Sequence, residues 1–154
     1  MKRGNKSGQF YLIAAFAVIS ILIGIVSIQN YSKAKKSFPA IYDMKKELET
    51  EAGYVLEYGI ANNLNNTQLM ENFTAVFSNS SKDTEFYFVF GKGENLSAYK
   101  YFGGARETEE YRIETNKVIL TVNNLEYKFN ITQGENFYFV IYNEEQGEKY
   151  IATN

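Results

Sequence analysis

One stretch constrains this chain before any other: residues 10–28, FYLIAAFAVISILIGIVSI, which hold no charged residue and no proline. As a helix rising about 1.5 Å per residue, the stretch reaches roughly 28 Å, close to the hydrocarbon thickness of a bilayer. Lys2, Arg3 and Lys6 precede it, and Lys33, Lys35 and Lys36 follow it. The expectation is a transmembrane helix over residues 9–31. A buried helix of a water-soluble core and an amphipathic surface segment are the alternatives. Equal basic flanks leave the orientation open.

Spacing divides this helix into two faces. Ala14, Ala17, Ser20, Gly24 and Ser27 recur three or four apart, and Leu12, Phe16, Ile19, Ile23 and Val26 occupy another face. Small residues let helix backbones approach closely in lipid, so the first set is the expected helix-packing face. The competing reading is that Ala, Gly and Ser are simply common in membrane helices.

Charge is divided as sharply as hydropathy. Residues 1–36 carry six Lys/Arg and no Asp/Glu, whereas residues 37–154 carry ten Lys/Arg against eighteen Asp/Glu, a net −8. The basic part suits membrane lipid with anionic headgroups, and the acidic part disfavours nucleic acid. There is no Cys, so neither a disulfide nor thiol chemistry is available. There is no His, which removes the commonest proton shuttle and metal ligand. Thirteen Tyr and twelve Phe favour a β-rich domain.

Residues 1–8, MKRGNKSG, form a short basic leader. Lys6-Ser7-Gly8 followed by Gln9-Phe10-Tyr11-Leu12-Ile13-Ala14-Ala15 resembles the class III signal peptide of type IV pilins, in particular archaeal pilin-like proteins. The resemblance implies cleavage by a leader peptidase between Gly8 and Gln9, with the apolar helix kept in the mature subunit. Many pilins carry Glu at the fifth mature position, which is Ile13 here. An uncleaved anchor and conventional signal-peptide removal after the helix are the alternatives.

Pro39 predicts a kink or short break near residues 37–39. Ile41, Met44, Leu48, Ala52, Val55 and Gly59 then recur at helical spacing, which predicts an amphipathic helix over residues 40–61 and a short second helix over 67–77. From Thr84 the period changes to two. Strands are expected over 84–90, 96–102, 111–115, 118–122, 125–131, 137–142 and 149–153, with Asn123-Asn124 as a two-residue hairpin turn. Short loops point to an antiparallel meander with one wet face and one face under the amphipathic helix. The expected fold is therefore α+β: a long N-terminal helix, membrane-spanning in its first half, packed on an antiparallel β-sheet meander. This is the pilin-like lollipop, with helices over 32–83 and the sheet head over 84–154.

Sequons begin at Asn65, Asn72, Asn79, Asn95 and Asn130, candidate glycan acceptors in an exported chain. No catalytic or metal set emerges, and no cofactor is implied. Gly91-Lys92-Gly93 and Gly103-Gly104 read as turns. Glu107, Glu109 and Glu110, and likewise Glu144, Glu145 and Glu148, read as solvated acidic loops in preference to calcium ligands. Tyr87, Tyr99, Tyr101, Tyr138 and Tyr142 read as sheet packing in preference to an exposed aromatic binding face.

The expected function is structural and not enzymatic. It is that of a pilin-like single-pass protein of the cell membrane with its C-terminal domain at the cell surface, a subunit or minor component of a filament. Such a protein associates with itself or with other pilin-like subunits. The alternative is a solitary membrane-anchored envelope domain that binds a glycan or protein partner. A tethered enzyme ranks third.

Overall fold

The computed structural model describes residues 37–145 and 147–154, and Phe38–Asn154 is one compact unit. Two helices come first: α1 (Ser37–Ala61) and α2 (Asn66–Ser78). Pro39 lies in the first turn of α1, where a backbone N–H has no helical acceptor to lose, so the expected break is replaced by a helix start. The helices are joined tightly. Asn63 takes a φ of 52°, the Leu64 N–H donates to the Gly59 carbonyl, and Asn65 caps α2 by accepting from the Gln68 N–H at 3.2 Å.

Eight strands follow: β1 (Glu85–Lys92), β2 (Asn95–Phe102), β3 (Ala105–Thr108), β4 (Tyr111–Glu114), β5 (Lys117–Val122), β6 (Leu125–Asn130), β7 (Glu135–Glu145) and β8 (Glu148–Thr153). They do not form one meander. A five-stranded sheet runs β3-β2-β1-β7-β8, and β4-β5-β6 form a separate three-stranded sheet. All pairings are antiparallel. Two-residue turns with positive φ at both positions close β2–β3 (Gly103-Gly104), β4–β5 (Thr115-Asn116) and β5–β6 (Asn123-Asn124). That is the geometry whose twist matches the flanking strands.

Alternation along β1 explains the layering. Phe86, Phe88 and Phe90 point to one face, where they meet Ile41 and Leu48 of α1, Met70 and Phe77 of α2, and Phe139 and Ile141 of β7. Tyr87 and Val89 point to the other face, with Val140 and Tyr142, and meet Val118, Leu120 and Phe129 of the small sheet. Every residue from Phe86 to Gly91 is consequently buried. The central sheet is covered by helices on one side and by strands on the other, three layers in all. The central strands of the five-stranded sheet thus lack the expected wet face, and the exposed sheet face belongs to β4–β6.

The long helix over a meander is therefore corrected. Among the described residues, the helices are two, of 25 and 13 residues, and neither is long and apolar enough to cross a membrane. In α1, Asp43, Glu47, Glu49, Glu51 and Glu57 accompany a buried stripe of Ile41, Leu48 and Ala52, the amphipathic pattern that its spacing predicts. The expected single-pass anchor, membrane location and surface placement thus find no support. The stretch 10–28, the packing face Ala14, Ala17, Ser20, Gly24 and Ser27, and the cleavage pair Gly8 and Gln9 lie outside the described residues.

The helix hairpin leaves no spare volume at Gly59. A Cβ there would stand 1.8 Å from Asn66 Oδ1 and 2.9 Å from Leu69 Cδ1. Asn66 is itself buried. Alanine gains about 1 kcal/mol of helix propensity over glycine, but overpacking costs about 1–3 kcal/mol, so the clash decides the sign. Gly59→Ala should lower the urea midpoint, and adding Asn66→Ala should recover part of the loss. A variant as stable as the parent would refute this close approach.

Candidate functional site

Three surfaces gather polar or aromatic side chains. The first is a row at one end of the interface between the two sheets. Register sets it: Tyr87 lies opposite Lys100, and Glu85 opposite Tyr142. The Tyr87 hydroxyl donates to Glu85 Oε2 at 2.6 Å, and Lys100 Nζ lies 3.2 Å from the same oxygen. Lys100 also sits over the Tyr87 ring, 5.3 Å from its centroid. The Tyr142 hydroxyl donates to Glu144 Oε2 at 2.7 Å.

Electrostatics fix what this row can do. Burial, then the Glu85 carboxylate, pushes Tyr87 far above the usual tyrosine range. The hydrogen bond to Glu144, then burial, pushes Tyr142 up to about 12. Burial raises Tyr127 and Tyr138 as well. Phenols shifted this way keep their protons near neutral pH, so they donate hydrogen bonds and do not act as bases or nucleophiles. Glu109 is shifted up by burial, against the pull of Lys100. Beside it lies an open cleft of about 280 Å³ lined by Glu109, Glu110, Tyr111, Arg112, Ile119 and Thr121. That volume falls below the usual range for a small-molecule site, roughly 300–1,000 Å³.

The second surface is the outer face of the small sheet. Arg112 pairs with Glu126 and, at 2.9 Å, with Glu114; Lys128 reaches Glu126 at 3.3 Å. Glu126 holds the Arg112 guanidinium above its ordinary value, and Arg112 in turn holds the Glu126 carboxyl below its own. Arg112 and Lys128 lie opposite Ile119 on either side, and Ile119 is buried although it points outward. Exposed pairs of this kind contribute little to stability, and their charges cancel locally.

The third surface is the outward face of α1. Asp43, Glu47, Glu51, Tyr54 and Tyr58 follow one another at intervals of three or four, so they form one line about 22 Å long. Tyr54 is 68% exposed and Tyr58 60%. Sequence reasoning missed both tyrosines. Their signal is positional: they fall outside the Leu48, Ala52, Val55 and Gly59 face that the same spacing identifies.

The tyrosines singled out from the sequence are divided by the structure. Tyr87, Tyr101 and Tyr142 are buried, Tyr99 and Tyr138 are half-buried, and they serve two different cores. Tyr101 meets the buried Thr74 hydroxyl at 3.3 Å, a link between α2 and the sheet. Gly91, expected in a turn, is instead a residue of β1 paired with Leu96 and Asn136; its φ is 147°, and a Cβ there would lie 2.2 Å from the Asn95 carbonyl oxygen. Among the described residues, no three acidic side chains converge as metal ligands. The sequon residues Asn65, Asn72, Asn79, Asn95 and Asn130 are all exposed. Asn65 and Asn79 are engaged at the two ends of α2, as N-cap and as donor to the Ala75 carbonyl.

Glu109 gives this region a measurable pH dependence. Its folded value lies above the ordinary 4.5, so the native chain binds more proton than the unfolded chain between the two values. Stability then falls as pH rises through that window, and the loss is complete above the folded value. Urea midpoints between about pH 4 and about pH 7 should show that fall in the parent and a smaller one in Glu109→Gln. Equal slopes in both proteins would contradict it. No protein-family model matches the chain, and no curated protein or solved structure does so either.

Proposed function

We propose that this protein is a non-catalytic building block of a pilin-like assembly, joined to neighbouring subunits through the outward face of α1. One observation carries the reading: two large aromatic side chains, Tyr54 and Tyr58, stand more than half exposed on a helix whose other face is fully engaged with the sheet. Aromatic side chains left in water on a rigid element are the usual anchors of protein interfaces. The polar groups elsewhere support the same reading. The phenols of the sheet interface hold their protons, and the paired charges over Ile119 neutralise one another. The leader resemblance at Lys6-Ser7-Gly8-Gln9 supplies the pilin-like part of the proposal.

Two measurements on the native full chain test it together. Mass spectrometry should find a mature chain that begins at Gln9, and sedimentation velocity should find species larger than one subunit. The double variant Tyr54→Ser and Tyr58→Ser should shift sedimentation towards the monomer, by about tenfold in association constant or more, with an unchanged circular dichroism spectrum. A chain that begins elsewhere removes the pilin-like part. A chain that stays monomeric at every concentration removes the assembly.

A further inference from the structure

We infer that the outward face of α1 docks a lysine- or arginine-rich helical segment of the neighbouring component; this deepens, and rests on, the assembly reading. The line Asp43, Glu47, Glu51, Tyr54, Tyr58 contains three carboxylates, two phenol rings and no cation. Among the described residues, the ion pair within α1 joins Lys45 to Glu49 at 3.6 Å, on another side of the helix. Charge therefore selects the partner. Two copies of this face would oppose carboxylate to carboxylate, in a body that already carries −8 over residues 37–154, and like charges in contact are costly.

Geometry selects the partner's form. Carboxylates one helical turn apart match cations repeated every three or four residues on a facing helix. At the C-terminal end of the line, exposed Tyr54 and Tyr58 offer ring faces to the same kind of side chain. A cation over a tyrosine ring is attracted to its negative face, and the aliphatic stem of Lys or Arg covers the ring edge. The aromatic end supplies buried area, and the acidic end supplies register and sign. The other exposed large apolar side chains of the helix hairpin, Tyr42, Ile60, Leu64 and Val76, are not part of this line.

The test uses the full chain and a labelled alanine-based helical peptide with lysine at every fourth position, read by fluorescence anisotropy at low and at physiological salt. The lysine peptide should bind and weaken as salt rises, because the charges face water. Its glutamate counterpart should not bind. Glu47→Lys with Glu51→Lys should weaken binding about tenfold or more, and Tyr54→Ser with Tyr58→Ser should weaken it by a few-fold or more. Glu94→Lys, the same kind of charge change in the β1–β2 turn, should leave binding within about twofold.

Failure of the lysine peptide to bind overturns the inference. So does an equal loss from Glu94→Lys and from the α1 charge reversals, which would report net charge alone. Sedimentation separates this result from the assembly reading. If the tyrosine variants dissociate the full chain while the charge reversals do nothing, assembly stands and the basic partner falls. If the peptide docks on a chain that is always monomeric, the docking face stands and assembly falls.

Discussion

The whole described structure depends on β1 being buried on both faces. Phe86, Phe88 and Phe90 anchor the helix layer, while Tyr87 and Val89 anchor the small sheet. Burying one such side chain is worth about 1.5–3 kcal/mol, and five consecutive ones make this strand the axis of both cores. The rings of Phe86 and Phe88 stack with centroids 5.9 Å apart, and Phe77 meets Phe86 edge-on at the same distance. This strand pairs with β2 on one side and β7 on the other, so it has no free edge. A polar substitution in it would disturb two layers at once.

The second sheet exists because the first cannot leave its far face in water. Tyr87, Val89, Val140 and Tyr142 would form an apolar surface if β4–β6 did not cover it. The covering sheet is tied back by polar bonds at its margins. The Tyr111 hydroxyl donates to the Leu96 carbonyl at 2.7 Å, and the Tyr138 hydroxyl of β7 donates to the Asn130 carbonyl of β6. Buried Asn136 pins the loop before β7: its Oδ1 accepts from the Thr132 N–H, and its Nδ2 donates to the Gly93 and Thr132 carbonyls. Such a fully used amide repays the cost of its burial, which an unpartnered one does not.

Period and turn chemistry made the individual elements legible, but not their arrangement. The helical spacing from Ile41 to Gly59 marks α1, and Asn123-Asn124 marks the β5–β6 hairpin at φ values of 50° and 65°. The strand β3 escaped because all four of its residues are exposed, so no alternation betrays it; Gly103-Gly104 is the turn it reads as, but the strand after it carries no pattern. The missing wet face was signalled by the unbroken apolar run from Phe86 to Phe90, the mark of a strand covered on both sides. No local signal says that β7 returns to pair with β1 across the excursion of β4–β6, because that pairing joins residues some fifty apart. The lollipop expectation failed at that pairing, whereas α1 is the amphipathic helix that its spacing predicts.

The same physics separates structural from presented polar groups. Three tyrosines on strands spend their hydroxyls on a neighbour: Tyr87 on Glu85, Tyr142 on Glu144, Tyr138 on Asn136. Their rings fill a core, and their protons are held more tightly than in water, which makes them poor chemistry and good scaffolding. Tyr54 and Tyr58 contribute to neither core, and α1 would pack equally well with small residues at those positions. Aromatic side chains kept in water bring no folding energy, since their burial on folding is slight. Their energetic value is realised only when another surface covers them, and the carboxylates beside them fix the sign of that surface.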